Sequence, residues 1–202
     1  EPEQVYALAR AAATDQDAAI FITAAFSGLR LGELLGLRVR DIDFPGDTIR
    51  VLRSIDIREG VIVPKSGKGR SVPLAPPVAT VLAALLRRER FAGPDDYVFV
   101  GADGRYLDGS ALRRRYRDAQ TAAKLPPIRF HDLRHTFATL VASDPGTSER
   151  ELQEWLGHAD LRTMERYRHY RPQKTAAERI GRIFAAEQAD AVSVQAQAAR
   201  RA

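Results

Sequence analysis

Apolar residues recur at helical spacing along most of the chain, and polar or turn-forming residues interrupt them. This period of about 3.6 residues predicts helices over residues 3–13, 16–27, 31–37, 76–91, 109–124 and 131–142. Thr147 or Ser148 caps a further helix that ends at Gly157, and Asp160 caps the next one, which carries Tyr167. The pattern therefore indicates a mainly helical protein.

The stretch between residues 48 and 74 has the alternation of period two that is typical of strands. It predicts strands over residues 48–55, 61–64 and 70–74, with a polar turn over 66–69. We therefore expect a small three-stranded antiparallel sheet with Lys65 at a hairpin. The predicted fold class is α+β, mainly α-helical.

Composition bounds the class of protein. The chain has 202 residues, which corresponds to one domain with a short appendage, and 45% of them are hydrophobic, enough for a core. No apolar run approaches the roughly 20 residues of a membrane span. Cysteine is absent, which excludes disulfides and thiolate metal sites and fits a reducing cytoplasm.

The charge distribution favours a nucleic-acid partner. The formal net charge is +5, and the pI is about 9.8. Basic residues concentrate between residues 113 and 134 and between 162 and 174, and every histidine lies in or near these two runs. We interpret the first run as a surface for phosphate-backbone contacts.

Residues 131–135 place His131, Arg134 and His135 on one helix face, because residues three and four apart are neighbours. Two histidines at this spacing are similar to the zinc helix of metalloproteases. However, Asp132 replaces the glutamate of that motif, and the permanent charge of Arg134 would repel a cation. We therefore expect no metal. Guanidinium and imidazole instead suit a phosphate, since arginine donates bidentate hydrogen bonds and histidine transfers protons near neutral pH.

Three segments carry a resemblance to a known family. They are SGLRLGELLGL at residues 27–37, HDLRHTFAT at 131–139 and LGHAD at 156–160, with Tyr167 following the last. In this order and at these spacings they resemble the tyrosine recombinases, from about residue 3 to residue 172. The resemblance implies that family's catalytic-domain fold, helical with a small sheet.

The resemblance also implies a catalytic set, which in this chain is Arg30, Lys65, His131, Arg134, His158 and Tyr167. Lys68 competes with Lys65 for the hairpin position, and Tyr170 competes with Tyr167 as the nucleophile. We interpret Glu33 and Asp132 as acids that orient Arg30 and the helix of His131.

The expected chemistry is DNA cleavage by a tyrosine hydroxyl, without metal, cofactor or ATP. Tyr167 would attack the phosphate, and the two arginines and His158 would stabilise its non-bridging oxygens. His131 would exchange the phenol proton, and Lys65 would protonate the leaving 5′ oxygen. The 3′-phosphotyrosine conserves the bond energy for rejoining. The resemblance thus implies a site-specific recombinase of a phage or other mobile element.

The family organisation implies further expectations about domains and partners. Residues 1–174 would form the catalytic domain, and residues 175–202 a C-terminal helix and tail. The apolar stripe of Ile180, Ile183 and Phe184 would pack on a neighbouring protomer of a DNA-bound homotetramer or fold back in cis. The N-terminal core-binding domain would be missing from this chain. We expect a cytoplasmic prokaryotic protein that is nucleoid-associated when active.

Two alternatives to the recombinase stay open. One is a DNA-binding or accessory module of the same fold without strand transfer. The other is a relaxing enzyme similar to type IB topoisomerases, which use the same chemistry. The target DNA sequence cannot be inferred, because a few side chains at base edges determine it.

Overall fold

The computed structural model describes residues 2–63, 69–142, 144, 146–157 and 180–183. Its helices are α1 (Pro2–Arg10), α2 (Asp15–Ser27), α3 (Leu31–Gly36), α4 (Pro76–Leu85), α5 (Gly109–Ala122), α6 (Asp132–Ala142) and α7 (Glu149–Leu156). Its strands are β1 (Ile42–Asp43), β2 (Thr48–Val51), β3 (Ser54–Asp56), β4 (Gly60–Ile62) and β5 (Arg70–Pro73). The predicted α+β class with a small antiparallel sheet is confirmed.

Helix α2 is the centre of the helical layer. The Thr14 side chain accepts a hydrogen bond from the backbone N–H of Asp17 at 3.1 Å and so begins the helix. Gly28 ends it in the left-handed conformation, with φ of 65°. Apolar residues lie on all sides of α2, and it is buried because α1, α4, α5 and α6 pack around it. Thr14 and Gly28 therefore define the two ends of α2, and the surrounding helices hold it in the core.

The strands form two sheets instead of one meander. The three-stranded sheet has the order β1-β2-β5 and is antiparallel, with Ile49 opposite Val72. Strands β3 and β4 form a separate antiparallel hairpin that packs on α3. The three-stranded sheet is confirmed, but β1 takes the place of the strand predicted over residues 61–64.

The strand predicted over residues 48–55 is interrupted at Arg53, and the reason is a buried ion pair. The Arg53 guanidinium donates to the carboxylate of Asp41 and, at 3.2 Å, to the carbonyl of Gly36. Both side chains of the ion pair are almost inaccessible to solvent. Because an unpaired buried charge is costly, this contact outweighs the period-two pattern.

Helix α4 ends at Leu85, before the end predicted from the sequence at residue 91. Beyond it, the Arg88 guanidinium donates to the carbonyls of Phe91, Tyr97 and Val98, with its bond to Val98 at 2.8 Å. These carbonyls belong to the following segment, so the chain leaves the helix to wrap around one arginine. The predicted extension of α4 over residues 86–91 is therefore wrong.

The described part of the C-terminal segment packs within the same chain. Residues 180–183 are helical, and Ile180 is 1% exposed in the core. A Cβ on Gly181 would lie 2.9 Å from the Cδ of Pro76, which shows how closely this turn approaches α4. Phe184 and the helix predicted from Asp160 lie outside the described residues. In the part of the chain that the structure describes, no helix is long and apolar enough to span a membrane.

Gly28→Ala should destabilise the protein by about 3 kcal/mol, because the left-handed φ becomes strained and a Cβ would lie 2.5 Å from the ring of buried Phe137. Gly60→Ala is the matched control. Gly60 also has a positive φ, 74°, but a Cβ there would meet only Tyr106 Oη, at an ordinary contact distance of 3.9 Å, so the loss should be about 1 kcal/mol. Urea unfolding measures both, and equal losses would contradict the packing argument.

Candidate active site

Arg30 lies at the junction of α2 and α3, directly before the first residue of α3. Its extended backbone, with φ of −69° and ψ of 152°, turns the chain after Gly28. Its backbone N–H donates to Glu33 Oε2 at 2.8 Å, and its Nη1 donates to Glu33 Oε1 at 3.0 Å. The Arg30 side chain is still 43% exposed. It is thus held by α3 at its base while part of it faces solvent.

Arg134 lies on α6 and is buried. Its Nη1 donates to the carbonyl of Gly28 at 2.6 Å, and its Nη2 donates to the carbonyl of Leu156. These carbonyls stand at the C-terminal ends of α2 and α7, where helix dipoles are negative. Burial, and then the positive charge of Arg30, lower the pKa of Arg134 to about 10. Arg134 therefore remains charged at neutral pH.

Arg70 is a third arginine at the site, and the sequence analysis did not assign it. Its Nη1 and Nη2 donate to the two carboxylate oxygens of Glu33, each at 2.8 Å, and its Nε donates to the carbonyl of Trp155 at 3.0 Å. The alternation of residues in the strand predicted over residues 70–74 could have indicated Arg70. Alternation along β5 places Arg70 on the same face as the fully buried Val72, so a charged residue occupies a buried face.

Glu33 is the carboxylate shared by two of these arginines. Burial alone would raise its pKa, but the hydrogen bonds and charge of Arg70, together with Arg30, lower the pKa of Glu33 below its ordinary value of 4.5. Glu33 is therefore ionised at neutral pH. Its predicted contact with Arg30 is present, and its bidentate pair with Arg70 was not anticipated.

Gly157 ends α7 next to these side chains. It has a left-handed backbone, with φ of 59° and ψ of 47°, as the sequence pattern predicted for the end of this helix. Its carbonyl accepts a hydrogen bond from Arg30 Nη2 at 3.3 Å. Because α7 packs on β5 and α6, its C-terminal end lies between Arg70 and Arg134.

His131 lies in the turn one residue before α6, although the helix predicted from the sequence begins at this residue. Its exposed ring packs against the ring of His135, with centroids 5.1 Å apart and planes at 88°. Partial desolvation, and then the charges of His135 and Arg134, lower the pKa of His131 below 6.5. A neutral imidazole at physiological pH can accept a proton.

Arg30, Arg70 and Arg134 form what we call the arginine cluster. Among the described residues, the side-chain hydrogen bonds of Asp132 do not include any of these three arginines. Its carboxylate accepts from the Arg129 backbone N–H at 2.7 Å and from Arg129 Nη2 at 2.9 Å, at the start of α6. This contact shapes the turn that carries His131. Among the described residues, no group of three His, Asp or Glu side chains is arranged to hold a metal ion.

The remaining predicted residues, Lys65, His158 and Tyr167, lie outside the described residues. Lys65 belongs to the connection between β4 and β5, and His158 follows Gly157 in the sequence. The structure thus brings Arg30, from the junction of α2 and α3, together with His131 and Arg134 at the start of α6. Three guanidinium groups around one carboxylate leave an excess of positive charge, which suits a bound anion such as a phosphodiester.

Comparison with known proteins relates this chain to recombinases. The family model described as "Phage integrase family" matches residues 1–174. A Mycobacterium tuberculosis protein named as a prophage phiRv2 integrase is 37% identical over 157 residues, which cover 75% of this chain and 42% of that protein. The tyrosine recombinase XerC of Stutzerimonas stutzeri is 35% identical over 71% of this chain and 44% of its own length. The chain spans about half the length of the curated relatives that it matches.

Solved structures have the same fold. The crystal structure of XerA recombinase aligns with a TM-score of 0.65 and 31% identity, over 89% of this chain and 62% of that one. The integrase from mycobacterium phage Brujita aligns with a TM-score of 0.66 and 22% identity, over 91% of this chain and 56% of that one. The second likeness supports the fold alone.

Glu33→Gln should lower the free energy of unfolding by about 3–5 kcal/mol, because it leaves buried guanidinium charge without its partner. Since the pKa of Glu33 is lowered in the folded state, its stabilisation is present above pH 4.5 and is lost as the pH falls below that value. Urea unfolding at pH 7 and at pH 3 measures the difference.

Asp95→Asn is the matched control for Glu33→Gln. Asp95 also bridges two arginines, Arg38 at 3.1 Å and Arg40 at 2.7 Å, but its side chain is 68% exposed. Its loss should cost less than about 1 kcal/mol. A comparable effect of both substitutions would contradict the assignment of Glu33 as the buried centre of the cluster.

His135→Gln should raise the pKa of His131 toward its ordinary value of 6.5. Desolvation, the largest cause of the lowered pKa, would persist, so the recovery should be partial. Proton NMR titration of the His131 ring measures the effect. An unchanged or lower pKa of His131 would show that the neighbouring imidazole does not influence its protonation.

Proposed function

The chain belongs to the phage integrase family, and on that premise we propose that it is the catalytic domain of a site-specific DNA recombinase (integrase). It would cleave and rejoin DNA through a 3′-phosphotyrosine intermediate, without metal or ATP. One observation carries the proposal: Arg30 and Arg134 converge at the ends of α2 and α7, where Arg30 is partly exposed to an incoming anion. This arrangement suits a DNA phosphate because the guanidinium groups can replace a metal as the source of positive charge.

In the proposed cleavage step, Tyr167 Oη attacks the phosphorus, and the bond between phosphorus and the 5′ oxygen breaks. The phenol proton passes to neutral His131, and Lys65 protonates the departing 5′ oxygen. Arg30, Arg134 and His158 hold the non-bridging oxygens. Such electrostatic contacts are commonly worth about 3–4 kcal/mol of transition-state stabilisation each.

Rejoining reverses these transfers with a different 5′-hydroxyl group. The phosphotyrosine bond replaces one phosphodiester by another ester of similar energy, so no external energy source is required. His131 returns its proton to the phenolate as Tyr167 leaves. The lowered pKa of His131 supports this role, since a neutral ring is needed at the start of cleavage.

Double-stranded DNA is the proposed partner. A structural relative, XerH, is solved bound to its difH substrate, and relatives at this similarity share the fold. We propose that residues 1–174 form the catalytic domain and that residues 175–202 form a C-terminal segment. Ile180 of this segment is buried within its own chain, so its other residues would supply the contact between protomers of a DNA-bound homotetramer. A core-binding domain would clamp the other side of the duplex. The site of action would be the prokaryotic nucleoid.

The 202-residue chain should form a covalent complex with a nicked suicide substrate whose sequence is taken from the DNA adjoining its gene. This complex appears as a band on a denaturing gel. Tyr167→Phe should abolish the band because the attacking oxygen is removed. Tyr170→Phe is the matched control and should retain it. The band should persist in EDTA, since no step uses a metal. Denaturing gel electrophoresis measures each case.

Other outcomes of this experiment favour other functions. A band that survives Tyr167→Phe would move the nucleophile elsewhere. A wild-type chain that binds DNA without a band would favour an accessory module. Cleavage of supercoiled DNA without sequence preference would favour a relaxing enzyme similar to type IB topoisomerases.

A further inference from the structure

The C-terminal end of α7 is held by three arginines that come from three different elements. The carbonyls of residues 155, 156 and 157 are consecutive acceptors. Arg70 of β5 donates to the first, Arg134 of α6 to the second, and Arg30 before α3 to the third. The last carbonyls of a helix have no partner within the helix, so side chains must supply one. At α7 all three donors are charged.

Arg70 differs from Arg30 in how its guanidinium is used. Each of its three nitrogens donates to the protein: two to Glu33 and one to the Trp155 carbonyl. Its side chain is 16% exposed, compared with 43% for Arg30. With all three nitrogens bound by protein acceptors, Arg70 is less available to an incoming phosphate than Arg30 is. Its contacts instead join β5, α3 and α7.

The backbone of α7 also approaches the Arg70 guanidinium closely. A Cβ on Gly157 would lie 2.9 Å from both Cζ and Nε of Arg70. Only a glycine at this position leaves room for the guanidinium under the helix end. Residue 158, the predicted histidine of the catalytic set, follows directly. The position of Arg70 is therefore linked to the point where the chain leaves α7.

We propose that Arg70 is a positioning residue of the recombination site. Through Glu33 it fixes the guanidinium of Arg30, and through the Trp155 carbonyl it fixes the end of α7 before His158. The inference rests on the proposed function and deepens it. A lysine cannot replace Arg70, because a single ammonium group cannot bind both carboxylate oxygens and the carbonyl in one plane.

The test compares Arg70→Lys and Arg70→Gln with wild type in single-turnover cleavage of the suicide substrate. At saturating DNA both variants should cleave at least about 10-fold more slowly, since small misplacements of catalytic groups cost up to about 100-fold. The DNA concentration for half-maximal rate should change little. Exposed Arg87→Gln is the charge-matched control and should cleave at the wild-type rate.

A second readout separates positioning from phosphate binding. The slope of log binding constant against log salt should keep its wild-type value in both Arg70 variants. In Arg30→Gln the magnitude of the slope should fall by about one unit, which corresponds to the loss of one phosphate contact. Far-UV circular dichroism establishes that each variant is folded, and Arg70→Lys, which keeps the charge, is the milder change. A reduced slope in Arg70→Lys would make Arg70 a phosphate ligand and overturn the proposal.

A third readout is the coupling between Arg70 and Glu33. If Arg70 acts through Glu33, the cleavage rate of the double variant Arg70→Gln with Glu33→Gln should equal that of the slower single variant. Independent, multiplying losses would overturn the proposal, as would a wild-type rate in Arg70→Lys. These results require wild-type cleavage. Absence of the wild-type covalent band would instead overturn the proposed function, and the positioning role with it.

Discussion

The carboxylate of Glu33 is the contact on which the arginine cluster depends. Two unit charges about 4 Å apart interact by roughly 4 kcal/mol where the effective dielectric constant is about 20, so three adjacent guanidinium groups would repel one another strongly. Glu33 offsets this repulsion by binding Arg70 through both oxygens and Arg30 through one. Three guanidinium groups and one carboxylate leave a net positive charge. Of the two arginines that bind Glu33, Arg30 is the more exposed to solvent. The stability of the fold and the proposed anion site thus depend on the same carboxylate.

The C-terminal ends of two helices also stabilise the positive charge of the arginine cluster. Helices α2 and α7 both end in a left-handed glycine, and both direct C-terminal carbonyls at Arg134. The negative ends of helix dipoles favour cations, which lets a buried arginine remain charged. Neither glycine has room for a side chain, since a Cβ would meet Phe137 at Gly28 and Arg70 at Gly157. Glycine is needed at both positions for the backbone to approach Phe137 and Arg70 this closely.

Local pattern in the sequence was sufficient for most helix positions, for the end of α7 at Gly157, and for the resemblance from which Arg30, His131 and Arg134 are proposed as catalytic residues. It failed where an arginine binds groups that are distant in the chain. Arg53 binds Asp41 at the point where a predicted strand is interrupted. Arg88 binds carbonyls of the next segment at the point where α4 ends earlier than predicted. Arg70 escaped assignment because its partners, Glu33 and Trp155, come together only in the folded chain. Periodicity treats arginine as a solvated residue, yet in each of these three places its guanidinium has partners within the protein.

The arginine cluster also affects the one histidine of the predicted set that the structure describes. Desolvation is the largest cause of the lowered pKa of His131, and the positive charges of His135, Arg134 and Arg30 lower that pKa further. Proton acceptance requires a neutral imidazole, whereas phosphate binding requires positive charge close by. These needs are compatible here because Arg134 remains charged at neutral pH even with its pKa lowered to about 10. The positive charges that would attract a phosphate therefore also favour the neutral form of His131, which can receive a proton.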